Sequence, residues 1–197
     1  MCSSDLSGRA SAHFPDPQRA HRWLTAGAPG RRFLVLKRRD LPKLNALHRA
    51  ASSAQLPVLA APDADVLLAS SQLGGASSAN PLDRWIRAER PPVARPLGAV
   101  LDGRVEVVGW EVVDAQDRVV DQLVARAPYR VRVVYEVRAP LPGGYEAFFH
   151  IDGQDRRHHG DHALLGGSYP TQLWQPGDVL VDEHPFELGA NFTPGTY

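Results

Sequence analysis

Two hydrophobic periodicities divide the chain: helical spacing in its first half and a two-residue alternation in its second. Residues 15–26 start with Pro and Asp, place three apolar side chains on one helical face and run into a glycine, which predicts a short helix. Leucines recur at helical spacing over residues 40–54 and predict a second helix. Apolar runs at residues 32–36, 58–60 and 66–69 predict strands, the last two as a hairpin. The first half therefore predicts a small α/β unit.

The second half of the chain predicts antiparallel β-structure. Residues 105–110 and 129–138 alternate with period two, and the second of these runs has one apolar and one largely charged face. Residues 147–151 and 179–188 predict two further strands, and turn-forming Asp, Gly and Pro residues separate the runs. Short strands divided by turn signals are typical of an antiparallel β-sandwich, here of jelly-roll or Ig-like type. The predicted fold class is therefore α+β.

Composition shifts along the chain predict the domain boundaries. Residues 1–14 are expected to be a disordered or artefactual leader, and residues 15–87 form the small α/β unit. Residues 88–98 contain three prolines and predict a linker. Residues 99–197 form the β-sandwich. We expect it to be truncated, because the sequence ends with a turn and the first residues of a further strand. The chain is accordingly interpreted as an internal fragment of a longer protein.

Composition and charge narrow the possible partners. A content of 43% hydrophobic and 22% charged residues is ordinary for a globular protein, and no stretch approaches the roughly 20 apolar residues of a membrane helix. Residues 1–139 carry 20 basic against 14 acidic side chains, whereas residues 140–197 carry two against eight. We interpret this asymmetry as a solvated surface, with anionic headgroups or phosphates as the alternative, and predict no nucleic-acid partner. The single cysteine, Cys2, excludes an internal disulfide and a thiolate metal cage.

Titratable side chains are concentrated in residues 145–187, which hold five of the eight histidines and eight of the 22 acidic residues. One hypothesis is a metal site, because imidazoles and carboxylates are suitable ligands for Zn²⁺. Its candidate ligands form two pairs, each on one strand face, and they are His150, Asp152, Asp182 and His184. The spacing matches neither an HExxH motif nor an EF-hand loop.

A second hypothesis is that this segment binds glycans. Tyr169 and Trp174 could offer an aromatic platform, flanked by Asp161 and His162; the alternative is that the two rings plug the end of the sandwich. The full set of candidates, for either a glycan site or a hydrogen-bonded structural loop, is His150, Asp161, His162, Tyr169, Trp174 and Asp178.

A third hypothesis makes His162 a general base with Asp161 or Asp182. Adjacent side chains point to opposite faces of a strand, so a dyad of His162 with Asp161 has poor geometry. We therefore predict no catalytic residue in this chain and no cofactor.

The same segment resembles a known group of proteins through a series of short motifs. They are a strand ending in F-x-H, a D-H pair, G-x-Y-P-T-x-x-W, a G-D pair and a terminal G-x-Y. Here they stand at Phe148–His150, Asp161–His162, Gly167–Trp174, Gly177–Asp178 and Gly195–Tyr197. The arrangement resembles the C-terminal extracytoplasmic domains of bacterial multi-spanning glycosyltransferases of the aminoarabinose transferase and protein O-mannosyltransferase superfamily.

This resemblance implies a parent enzyme that transfers a sugar from a polyprenyl-phosphate carrier to an acceptor outside the cytoplasm. In that superfamily the catalytic carboxylate lies between N-terminal membrane helices, so this chain would be a non-catalytic accessory or acceptor-recognition region. It would lie at the periplasmic face of the inner membrane, with the transmembrane catalytic region and a glycan or lipid-linked sugar as partners. The alternatives are a carbohydrate-binding sandwich module of a secreted protein and a metal-dependent hydrolase.

Overall fold

The computed structural model describes residues 2–4, 10–27, 30–153, 156–192 and 195. The protein is α+β, and its chain divides into two compact units, residues 1–83 and 84–197. Every described strand pairing is antiparallel. The predicted fold class is thus confirmed. Among the described residues, no helix combines the length and the apolar character that crossing a membrane requires.

The first unit combines two helices with a three-stranded sheet. Its elements are β1 (Cys2–Ser4), β2 (Ala10–Ala12), α1 (Pro17–Thr25), β3 (Phe33–Lys37), α2 (Leu41–Ser52), β4 (Val58–Ala60) and β5 (Val66–Ser70). Strand β5 lies between β3 and β4 in the sheet, and β1 pairs with β2. Both helices and the β4–β5 hairpin lie where the sequence predicts them. The backbone of the predicted leader contributes the β1–β2 pair.

Local signals explain where helix α1 begins. The side chain of Asp16 accepts a hydrogen bond from the backbone N–H of Gln18 at 3.0 Å, and Pro17 occupies the first turn, where a missing N–H costs nothing. Helices α1 and α2 pack through two buried histidines. His21 Nε2 lies 3.3 Å from His48 Nδ1, which joins the two helices by a hydrogen bond between imidazoles.

The second unit is built on one five-stranded sheet with two short ribbons. Its strands are β6 (Ile86–Arg87), β7 (Arg95–Leu101), β8 (Val105–Val113), β9 (Pro128–Val137), β10 (Glu146–Ala147), β11 (His150–Asp152), β12 (Arg157–His159), β13 (His162–Ala163) and β14 (Val179–Glu187). The sheet order is β6-β14-β9-β8-β7, and the ribbons are β10–β13 and β11–β12. The predicted strand over residues 147–151 is divided between β10 and β11. A predicted strand start at residues 196–197 lies outside the described residues.

The two faces of the large sheet differ in chemistry. One face carries the core cluster of Tyr129, Val131 and Phe186, against which Phe149 and Ile151 pack. We call this the core face. The opposite face carries ion pairs and is called the charged face. There Arg132 donates to Glu111 at 2.8 Å and to Glu183 at 2.7 Å.

The predicted linker is not a free connection. The second unit begins at Arg84, and strand β7 includes Arg95 to Leu101, so residues 88–98 belong to this unit. Val93 packs against a cluster of three buried valines on the charged face. The backbone N–H of Ala94 donates to Glu111 Oε2 at 3.2 Å. Prolines keep this segment extended, and the side chain of Val93 packs on the sheet.

A β-bulge interrupts strand β8. Its register against β9 shifts between Val107 and Gly109, so Val108 is the additional residue. A Cβ atom at Gly109 would lie 2.5 Å from the carbonyl oxygen of Arg95. Glycine is therefore required at this position because the backbone of β7 approaches too closely for a side chain.

Candidate functional site

The β11–β12 ribbon determines which of the clustered histidines meet. His150 pairs with His159, and Asp152 pairs with Arg157. The N–H of Gly160 donates to the carbonyl of Phe149 at 2.7 Å, so the neighbouring His150–His159 pair is of the non-hydrogen-bonded type. In such pairs the Cα atoms lie about 4.5 Å apart and the side chains are close. Register therefore brings the two imidazoles together on the exposed face of the ribbon.

Asp161 completes this exposed group. It follows His159 by two residues, and its Oδ1 lies 2.9 Å from His150 Nε2. The rings of His150 and His159 are 5.0 Å apart between centroids, at an angle of 74°. One potential ligand atom from each of the three residues lies within 4.8 Å of the other two. We call His150, His159 and Asp161 the exposed triad.

An ion pair lies beside the exposed triad. Arg157 Nε donates to Asp152 Oδ1 at 2.5 Å, and its Nη2 donates to Oδ2 at 3.1 Å. This hydrogen bonding lowers the pKa of the Asp152 carboxyl group, with further contributions from Arg157, His150 and His159 charges. Asp152 shares a strand face with His150, as predicted, but Arg157 already occupies its carboxylate.

A second polar group lies behind the ribbon and consists of the buried Asp182 and the partly buried His162. His162 Nε2 lies 2.7 Å from Asp182 Oδ2, and His162 Nδ1 lies 2.6 Å from the carbonyl oxygen of Gly160. The other oxygen of Asp182 accepts from the backbone N–H of Leu165 at 2.7 Å. Asp182 is only 1% exposed. Both ring nitrogens of His162 thus face acceptors inside the protein, so neither is directed toward a substrate.

His184 covers the ring of His162. The two rings are stacked with their centroids 4.0 Å apart and their planes 15° apart. Burial lowers the pKa of His184, and the neighbouring His162 lowers it further. On strand β12 of the ribbon, burial also lowers the pKa of His158, whose ring contacts Phe149 and Phe186 at the core face. These histidines are part of the packing.

The long loop between β13 and β14 folds on its own aromatic residues. Tyr169 and Trp174 are 0% and 3% exposed. The Tyr169 hydroxyl donates to the carbonyl of Leu173 at 2.7 Å, and Trp174 Nε1 donates to the carbonyl of Tyr169 at 2.8 Å. Asp178, which is fully buried, accepts from the backbone N–H of Gln175 at 3.0 Å.

This burial corrects the glycan-platform hypothesis. An aromatic platform needs an exposed ring face, and neither Tyr169 nor Trp174 provides one. The alternative, in which the rings close one end of the sheet packing, agrees with their burial. Asp178 and His162 likewise hold the loops of the second unit through hydrogen bonds within the protein, whereas Asp161 is exposed and contacts His150.

The predicted metal ligands are not brought together as one set. In the described part of the chain, three potential ligands converge only in the exposed triad, which retains His150 of that set. Asp152 is paired with Arg157, and the buried Asp182 is paired with the partly buried His162. His159 was missed because no strand was predicted over residues 157–159. The alternation in R-H-H-G-D, which places His159 and Asp161 on one face, is the signal that could have found it.

A small apolar cleft opens at another part of the core face. It has a volume of about 120 Å³ and is lined mainly by apolar side chains, including Val105, Leu141, Leu164 and Trp174. Tyr145, which is 46% exposed, also lines this cleft. Pockets for whole small-molecule ligands usually measure about 300–1,000 Å³. The cleft therefore fits a group of a ligand and not an entire substrate.

Comparisons of this chain with family models, with curated proteins and with solved structures gave no match.

Proposed function

We propose that this chain is an extracytoplasmic accessory region of a membrane glycosyltransferase that uses a polyprenyl-phosphate sugar donor. In this proposal the chain recognises the acceptor or the lipid-linked sugar and performs no chemistry. The transmembrane part of the same parent protein would supply the catalytic carboxylate. The region would lie at the periplasmic face of the inner membrane.

The contacts among the resemblance motifs support this proposal. Asp161 of the D-H pair contacts His150 of the F-x-H motif at 2.9 Å. Within the G-x-Y-P-T-x-x-W motif, Trp174 donates to the carbonyl of Tyr169. The hydroxyl of Tyr169 in turn lies 3.4 Å from Asp178 of the G-D pair. Motifs that hold one another in place are better explained as one signature than as separate chance matches.

Two further observations favour a recognition role over catalysis. His162 has both ring nitrogens engaged within the protein, which leaves it unsuited to act as a general base. The apolar cleft beside Tyr145 is large enough for part of a ligand. An apolar lining suits the hydrophobic face of a sugar ring or a segment of an isoprenoid chain.

The complete reading frame is the first test. We expect several hydrophobic spans upstream of this region in the parent protein, each of roughly 20 residues. A frame without such spans would overturn the proposal and leave the secreted carbohydrate-binding module as the interpretation to test.

A variant of the full-length parent is the second test. Tyr145→Ala removes the exposed ring at the cleft and is expected to lower sugar transfer in isolated membranes by about fivefold or more. Val124→Ala is the matched control, because Val124 is 67% exposed and does not line the cleft. Equal activity of the two variants would exclude the cleft as the recognition site.

A further inference from the structure

The exposed triad has the chemistry of a transition-metal site. Two imidazoles and one carboxylate are the donor set that borderline divalent ions such as Zn²⁺ prefer. Three protein ligands with a fourth position left to water or substrate are the usual arrangement of an open zinc site. All three side chains are exposed, so an ion can reach them from solvent.

The geometry is close to that required for coordination. Zinc binds imidazole nitrogen at about 2.0–2.1 Å, so ligand atoms in a tetrahedral site lie about 3.3 Å apart. His150 Nε2 and Asp161 Oδ1 are 2.9 Å apart, and the potential ligand atoms of all three residues lie within 4.8 Å of one another. Binding therefore requires the exposed side chains to rotate, so that the ligand atoms move from within 4.8 Å to about 3.3 Å of one another. The strand register holds two of the three ligands close together, because it places His150 directly opposite His159.

We propose that His150, His159 and Asp161 bind one Zn²⁺ or a similar borderline divalent ion, with the fourth position open. The ion replaces the hydrogen bond between His150 and Asp161 and links the two strands of the β11–β12 ribbon to the residue that follows them. This inference stands independently of the proposed glycosyltransferase role, since it rests only on the ribbon and its register.

The neighbouring ion pair of Arg157 and Asp152 is expected to weaken zinc binding at the exposed triad. Arg157 adds a positive charge on the same face and holds the carboxylate of Asp152. A nearby cation opposes the binding of a second cation. Removing Arg157 lowers this repulsion and also releases Asp152, a possible fourth ligand.

The test is titration of the purified chain with ZnCl₂, followed by calorimetry or equilibrium dialysis. We expect one ion per chain, and we expect His150→Ala and His159→Ala each to weaken binding by about tenfold or more, since each removes one of three ligands. Asp161→Asn should also weaken binding, because it removes the single negative charge of the site. Arg157→Ala should strengthen binding several-fold.

Two controls are needed. One tests whether zinc binds to other histidines, and the other tests whether a variant has lost its fold. His13→Ala removes an exposed histidine of the first unit and should leave zinc affinity unchanged. Far-ultraviolet circular dichroism should be the same for all the variants, because the triad residues are exposed. Absence of binding to the unaltered chain would overturn the proposal. Undiminished affinity in the His150→Ala, His159→Ala double variant would do so as well.

Discussion

His162 Nε2 and Asp182 Oδ2 lie 2.7 Å apart, and this contact joins strand β13 to strand β14 across the core face of the second unit. Asp182 also accepts from the backbone N–H of Leu165. Leu165 has a positive φ of 55° and is completely buried. The Asp182 carboxylate therefore contacts the His162 ring and also accepts a hydrogen bond from the buried backbone N–H of Leu165, which would otherwise be unsatisfied.

The first prediction concerns this carboxylate. Asp182→Ala leaves the His162 ring and the backbone N–H of Leu165 without their acceptor. A polar group left unsatisfied costs about 1–3 kcal/mol, so we expect the two together to lower the free energy of unfolding by roughly 2–6 kcal/mol. Asp182→Asn retains one acceptor oxygen and should cost less, about 1–3 kcal/mol. Urea unfolding followed by tryptophan fluorescence measures both values.

The surface pair of Asp102 and Arg104 provides the matched control. Its atoms approach to 2.9 Å, but the Asp102 side chain is 74% exposed. Asp102→Asn removes the ion pair, and asparagine tolerates the positive φ of 48° at this position, so the free energy of unfolding should change by no more than about 1 kcal/mol. Similar losses for Asp102→Asn and Asp182→Asn would contradict a stabilising role for the buried contact.

The second prediction concerns the bulge in strand β8. Gly109→Ala places a Cβ atom 2.5 Å from the Arg95 carbonyl oxygen and 2.6 Å from Val93 Cγ2, so strand β7 must move. We expect a loss of roughly 1–3 kcal/mol in the free energy of unfolding. Gly143→Ala is the control, because its nearest neighbour is the flexible end of Gln172 and the change should stay within about 0.5 kcal/mol. A Gly109→Ala variant as stable as Gly143→Ala would show that strand β7 can move away from β8 without loss of stability.

The third prediction concerns pH and the two histidines between helices α1 and α2. Burial lowers the pKa of both, and His21 lowers the pKa of His48 further. The unfolded chain binds protons near the usual value of 6.5, whereas the folded unit binds them only at lower pH. The stabilisation is therefore complete above pH 6.5 and is lost as pH falls from there toward the lowered folded values.

Nuclear magnetic resonance titration of the histidine rings measures this directly. The midpoint for His48 should lie below that of the same ring in the urea-unfolded chain. Unfolding experiments at about pH 7.5 and about pH 5.5 should then give a less stable first unit at the lower pH. Equal midpoints in the folded and unfolded chains would rule out this source of pH dependence.

Sequence patterns predicted the regular elements of this protein well where local chemistry decides them. Helix α1 follows from Asp16, Pro17 and the spacing of its apolar residues, and the β4–β5 hairpin follows from its turn. The alternation in strand β9 predicted a sheet with one apolar and one charged face. In each of these cases the decisive contacts lie within a few residues of one another.

Features that depend on distant contacts could not be predicted in the same way. Exposure of Tyr169 and Trp174 depends on whether their loop folds back onto the sheet, and composition does not determine this. The prolines of residues 88–98 predicted a linker, but the packing of this segment depends on Val93 meeting valines that are remote in sequence. His159 joins the exposed triad through the register of a three-residue strand, and local alternation does not determine that His159 pairs with His150.

The bulge at Val108 also determines where two buried acids lie. Glu106 and Glu111 are five residues apart, and in a regular strand an odd separation sends side chains to opposite faces. Here both pair with residues of the charged face, Glu106 with Arg138 and Glu111 with Arg132. The additional residue shifts the alternation of side chains between the two faces, and it thereby keeps both carboxylates away from the apolar core. Loss of a single codon at Val108 would therefore be more damaging than most substitutions, because it would turn one glutamate toward Val131 and its neighbours.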